Sequence, residues 1–167
     1  SDTLGGIQAQ AIRLDAEDSS TISAVVGAGS LAAGFGSTGV AVSIGIAGAY
    51  NTIANDVSAF IADVQDGVST TDDTITIEAV DNATINALTA AASLSAAFGS
   101  TGVAVSAAGA GAANLISNTT NASIANSILT SAADVTLSAS DTSTINAIVG
   151  AASAAIAGGS TGVGVSF

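Results

Sequence analysis

The sequence predicts an all-β fold, an elongated β-solenoid made of tandem copies of one long unit. Two observations carry that expectation. The stretch FGSTGVAVS at residues 35–43 returns at 98–106, and again as GGSTGVGVSF at 158–167, so Gly36, Gly99 and Gly159 recur at spacings of 63 and 60 residues. The composition is 49% apolar but only 3% aromatic and 8% charged, without Pro, Cys, Met or Trp. Small apolar side chains suit thin stacked layers, whereas an ordinary domain carries about 25% charged residues. A unit that cannot bury its apolar face alone does so by stacking on the next copy.

The elements follow in order within each unit. A short strand comes first: Ile12, Leu14 and Ala16, then Ile75, Ile77 and Ala79, then Val135, Leu137 and Ala139 alternate with other residues at period two. That pattern buries one face of a strand. Asp18, Asp81 and Asp141 follow in DSSTIS, DNATIN and DTSTIN and mark a turn. A long segment such as TINAIVGAASAAIA (144–157) is apolar on both faces. Ala favours a helix there, but Gly, Ser, Thr and β-branched neighbours favour a strand covered on both sides. The Gly-Ser-Thr turn leads into a second long strand, which runs on through polar segments such as NLISNTTNAS (114–123). Long antiparallel hairpins stacked side by side are the competing arrangement.

The copies divide as residues 1–63, 64–126 and a partial third, 127–167, in one continuous array. Asn51 matches Asn114, Asn55 matches Asn118 and Ile61 matches Ile124. The stretch 62–81 is three residues longer than 125–141, a difference that a polar loop absorbs. Residues 1–6 read as a short polar segment rather than a cap, and GVGVSF stops on an apolar strand. Open terminal strands of this kind pair with adjacent repeats or with copies of the same chain.

Here the residues resemble a known group of proteins. NTIANDVSAFI, NLISNTTNASIANS and ADVTLSASDTSTINAIVGAASAAIAGGSTGVGVS look like the Ala/Gly/Val-rich tandem repeats of giant bacterial surface proteins, the filamentous adhesins of haemagglutinin and leukotoxin-like type. The resemblance covers nearly all residues and implies secretion, a fibrous form, and an extracellular or cell-surface place with a structural or adhesive role.

The charges exclude several functions. Thirteen carboxylates stand against Arg13 alone, a formal net charge of −12. One basic residue cannot neutralise a phosphate backbone or hold an anionic membrane surface, so nucleic acid is not an expected partner. Uncharged runs at 19–55, 82–133 and 142–167 are long enough for membrane spans. They are broken by Gly, Ser, Thr and Asn and lack flanking basic residues, so membrane insertion is not expected. Val163, Val165 and Phe167 have the form of an outer-membrane end signal, but the aromatic girdles of a membrane barrel are missing. Without His, Cys or Lys, no nucleophile–base pair is available, and the scarcity of aromatics argues against a sugar cleft. An enzyme is not expected, nor a cofactor.

One ion stays in view. DVQDGVSTTDD (63–73) places Asp63, Asp66, Asp72 and Asp73 on one predicted loop with Gly67, and calcium takes oxygen ligands of this type. The spacing fits neither an EF-hand nor the calcium-binding nonapeptide, and the third copy keeps only Asp134. The sequence therefore reads as a structural stalk, spacer or matrix filament, with a calcium-dependent or carbohydrate-binding adhesive module as the alternative.

Overall fold

In the computed structural model, residues 6–167 are described; residues 1–5, most of the polar segment at the start of the first copy, lie outside that range. The chain is all-β. Its first coil comprises β1 (Ile7–Ala9), β2 (Ile12–Asp18), β3 (Thr21–Phe35), β4 (Thr38–Ile53) and β5 (Asp56–Ala62). The second comprises β6 (Val68–Thr70), β7 (Ile75–Asp81), β8 (Thr84–Phe98), β9 (Thr101–Ile116) and β10 (Thr119–Ala125). The third comprises β11 (Leu129–Thr130), β12 (Val135–Asp141), β13 (Thr144–Gly158) and β14 (Thr161–Ser166).

Each strand pairs with its own counterpart in the next copy. The sheets run β1-β6-β11, β12-β7-β2, β13-β8-β3, β14-β9-β4 and β10-β5. The resolved pairings are parallel and in repeat register: Ile12 lies beside Ile75 and Ile75 beside Val135, while Thr161 lies beside Thr101. The architecture is thus β-solenoid-like and not a stack of antiparallel hairpins. The strands flanking each Gly-Ser-Thr turn enter different sheets, so they meet through side chains rather than through a shared backbone ladder. The Ala-rich segment 144–158 is strand, because backbone pairing to a neighbouring copy outweighs the helical preference of alanine.

Two features differ from the sequence expectation. The second long strand does not run through the Asn/Thr segment: β4 and β9 stop, and separate strands β5 and β10 begin at Asp56 and Thr119. The loop at 63–73 is also interrupted, since Val68–Thr70 forms β6 with Val68 and Thr70 buried. The VST triplet is too short to show period two by itself, which hides it among acidic residues.

Contacts divide the chain into two compact units, each assembled from pieces of all three copies. The first comprises residues 1–21, 52–84 and 116–144. Its core is walled by three sets of strands: Val57, Ala59 and Ile61 from β5, Val68 from β6, and Ile75, Ile77 and Ala79 from β7. Ile75 and Ile77 are fully buried in the middle copy, whereas Val135 and Leu137, their third-copy counterparts, are each 43% exposed.

The second unit comprises residues 22–51, 85–115 and 145–167 and contains the paired sheets β13-β8-β3 and β14-β9-β4. Its interior is made mostly of small side chains, with Ile85 fully buried at the start of β8. Ala41, Ala97 and Ala104 cluster there, and hydroxyl rungs cross between the sheets, Ser30 to Ser43 at 2.8 Å and Ser93 to Ser106 at 2.6 Å. At the turns the copies touch backbone to backbone. A Cβ on Gly99 would lie 2.0 Å from the Gly36 carbonyl oxygen, and one on Gly159 would lie 1.8 Å from that of Gly99.

Gly99→Ala is therefore expected to lower stability by about 2 kcal/mol or more, because a backbone neighbour cannot swing aside. Gly109→Ala, where no atom lies within 4 Å of an added Cβ, serves as the control. Urea unfolding of the two variants checks the contrast, and equal midpoints would count against it.

Candidate functional site

The four aspartates of 63–73 occupy two corners on either side of β6. The first corner spans 63–67, with Asp63 at φ +58° and Gly67 at φ +89°. The Asp63 N–H donates to the Ala125 carbonyl at 3.1 Å, and the Asn126 amide donates to Asp63 Oδ1 at 3.1 Å. Asn126, with φ +47°, takes the same left-handed conformation one copy on, a conformation Asn and Asp tolerate better than other side chains. The second corner spans 71–74. Asp73 N–H donates to the Gln10 carbonyl at 3.0 Å, Asp73 Oδ1 accepts from Thr74 N–H at 2.8 Å, and Thr70 Oγ1 donates to the Asp73 carbonyl at 2.6 Å. Asp63 and Asp73 are thus engaged in shaping their own turns. The structure does not bring the four together, and among the described residues no three or more acidic side chains gather as a metal ligand set. A concavity of about 360 Å³ beside β6 includes Asp66 but none of the other three.

A different carboxylate array is better organised. Asp18, Asp81 and Asp141 lie side by side in register at the ends of β2, β7 and β12. Each closes the same turn by accepting the backbone N–H two residues on: Ser20 at 2.9 Å, Ala83 at 3.0 Å and Ser143 at 2.9 Å. This is the local hydrogen-bonding habit that makes Asp a turn residue. Asn55 Nδ2 adds a bond to Asp18 Oδ1 at 2.6 Å, and Asn118 Oδ1 accepts the Asn55 N–H at 3.0 Å. Asp81 is fully buried, and its Oδ2 has no protein partner. At Asp141 the Ser143 hydroxyl, and then its N–H, donate to Oδ1, and they hold this exposed carboxyl below its usual pKa.

Asparagine ladders bind copies together at other positions. Asn51 Nδ2 donates to Asn114 Oδ1 at 2.7 Å, and Asn146 Nδ2 donates to Asn86 Oδ1 at 3.0 Å. The second pair was legible as a spacing of 60 residues, the repeat offset of the last two copies. Arg13 pairs with Asp15 at 2.7 Å and crosses to Glu78 of the next copy at 2.9 Å. Both bridges are exposed and contribute little. What the arrangement does chemically is attach copy to copy through polar corners.

No family model matches the chain, and none of the curated proteins or solved structures compared with it matches either.

Two expectations follow for the aspartate column. Asp81→Ala leaves the buried Ala83 N–H unpaired and is expected to cost about 1–3 kcal/mol. Asp81→Asn keeps the Oδ1 acceptor and removes a carboxylate from between two others, so it is expected to be at least as stable as the parent at neutral pH. Urea midpoints decide both, and an Asn variant as weak as the Ala variant would show that the charge itself is needed. For Asp141, Ser143→Ala is expected to move the pKa upward, as read by carboxyl-carbon NMR titration. A lowered folded pKa gives stability that is present above the unfolded value and lost as pH falls through the folded one. The parent's extra stability should therefore disappear below about pH 4.

Proposed function

We propose that this chain is a structural protein, a β-rich repeat segment or protomer of an extracellular bacterial fibre or giant adhesin, serving as stalk, spacer or matrix filament. One observation carries the reading: each strand pairs with its own counterpart from copy to copy, and the pairings of β1 with β6, β5 with β10, β2 and β12 with β7, and β14 with β9 are parallel and in repeat register. Such a coil stack transmits load through many backbone hydrogen bonds acting together and leaves few loops open to proteases. Its partners are further coils of the same type. β2, β3 and β4 stand at one edge of their sheets and β12, β13 and β14 at the other, so an adjacent repeat or another copy of the chain extends each ladder by strand addition. The resemblance to filamentous adhesin repeats supports an extracellular or cell-surface place and agrees with a chain in which Cys is absent.

Single-molecule pulling between the termini tests the reading. A load-bearing coil stack is expected to unwind in steps matching one copy, a gain of about 200 Å for about 60 residues at 3.3–3.6 Å each. Smooth lengthening at low force, with no step of that size, would remove the structural proposal.

A further inference from the structure

The charges are divided between the two units without exception. Among the described residues, all twelve carboxylates and Arg13 belong to the first unit, and the second contains no Asp, Glu, Lys or Arg. The outward faces of the second unit's sheets are nevertheless lined with large apolar side chains. Val25 is 79% exposed, Ile46 is 76% exposed, and Leu31, Val42 and Ile148 are also open to solvent. Around the Ser30–Ser43 and Ser93–Ser106 rungs the usual arrangement is reversed, with Ala, Ser and Gly inside and Val, Leu and Ile outside, although Ile85 is buried at the start of β8. Apolar patches of this extent on a protein surface mark interaction sites. These faces are lateral to the direction of copy-on-copy stacking, so more coils at either end leave them uncovered.

We propose that these two faces dock on each other between neighbouring molecules, the β3/β8/β13 face of one on the β4/β9/β14 face of a second copy, so that the stacks associate side by side. The relief of the faces supports a second copy as the occupant. The inter-sheet bonds Ser30–Ser43 and Ser93–Ser106 fix which outward residues share a level. Counting along the strands from those rungs places Val25 level with Gly48 and Leu88 level with Gly111. On one face Val25, Leu88 and Ile148 form a ridge across the three strands; on the other, Gly48 and Gly111 form a groove at the same height. An added Cβ at either glycine meets no atom within 4 Å, so nothing inside the molecule requires glycine there. Glycine weakens a strand interior and is explained where another surface approaches closely. A sideways translation of the molecule brings ridge into groove.

The area suffices. At about 3.3 Å per residue and about 4.8 Å between strands, the smaller face covers about 600 Å² and the pair buries about 1,200 Å², which reaches the range of specific interfaces. No charge is desolvated in the process. The contact is heterologous and does not close, so it builds lateral arrays rather than dimers. A lipid surface fits less well. It gains nothing from a glycine groove, and the faces lack the Trp and Lys/Arg anchors of membrane interfaces. Association works against the −12 charge of each molecule and should therefore strengthen with salt.

Sedimentation velocity of the whole chain, from low to high micromolar and in 0.05 and 1 M NaCl, gives the test, with circular dichroism and urea melts to verify folding. The parent is expected to form concentration-dependent oligomers, favoured by salt. Gly111→Val, which adds a β-branched side chain in open space, should fold at least as well yet associate about tenfold more weakly. Leu88→Asp, on a central strand and away from the sheet edges, should abolish association. A parent that stays monomeric in all conditions overturns the proposal. So does undiminished association of both variants, which would assign the contact to strand edges, and so does flotation with neutral phosphatidylcholine vesicles in place of self-association.

Discussion

In-register parallel pairing between copies is the constraint from which the rest of the structure follows. Once Ile12, Ile75 and Val135 lie side by side, every other residue of those strands lies beside its own repeat counterpart about 4.8 Å away. Whatever the repeat places at a position is thereby stacked on itself. Apolar residues gain from this, because like shapes interdigitate. Asparagines gain as well, since one side-chain amide both donates and accepts, and Asn51–Asn114 and Asn86–Asn146 are the result. Glycines are forced, since at Gly99 and Gly159 the backbone of the preceding copy lies where a Cβ would stand, and Gly36 is held at φ +139°. Aspartates lose, because like charges adjoin, and the Asp18–Asp81–Asp141 column survives by closing a turn in each copy.

The same rule accounts for the division of charge. In the first unit the carboxylates stand at corners, where turn N–H groups meet them, or on strand positions facing away from the core, such as Asp15, Glu17 and Glu78, while Ile75, Ile77 and Val68 fill the interior. In the second unit the two sheets approach largely through Ala, Ser and Gly, and hydroxyl rungs pair Ser30 with Ser43 and Ser93 with Ser106, while the buried hydroxyls of Thr89 and Ser95 have no protein partner. So close an approach leaves no room inside for Leu or Phe. Most of the large apolar residues that β-strands favour then point outward, Ile85 being a buried exception, and Phe35 and Phe98 stack outside with ring centres 5.9 Å apart. An uncharged, outwardly apolar sandwich is thus a consequence of a thin core combined with strong strand propensity.

Much of the fold was legible in the sequence. The 63 and 60 residue spacings, the period-two strands at Ile75–Ala79 and Val135–Ala139, and the Gly-Ser-Thr turns all correspond to elements of the structure. The direction of pairing was not legible, because alternation reads the same in parallel and antiparallel sheets. Strand β6 was hidden as well. Its two buried positions, Val68 and Thr70, are too few to establish a period, and the aspartates around it suggested a loop. For the same reason Asp63, Asp66, Asp72 and Asp73 read as one acidic cluster when the chain turns twice between the first pair and the second. The aspartate column showed as a repeated letter, but its burial at Asp81 and its partnership with Asn55 at Asp18 depend on contacts distant in sequence.

The way in which the repeat loses three residues shows how strictly phase is kept. Pairing of β10 with β5 has an offset of 63 residues, β11 with β6 an offset of 61, and β12 with β7 an offset of 60. The deletion is therefore split, two residues at the corner preceding β6 and one at the corner following it. Removing one residue inside β6 would turn its inward side chains to solvent, because a single step along a strand reverses the face. Corners have no such alternation and absorb any number. Thr70 in fact keeps its place beside Ser131, with the two hydroxyls 3.1 Å apart, although the adjoining corner is shorter by a residue. Length varies where the chain turns, and phase is held where it stacks; this combination lets unequal copies share one continuous coil.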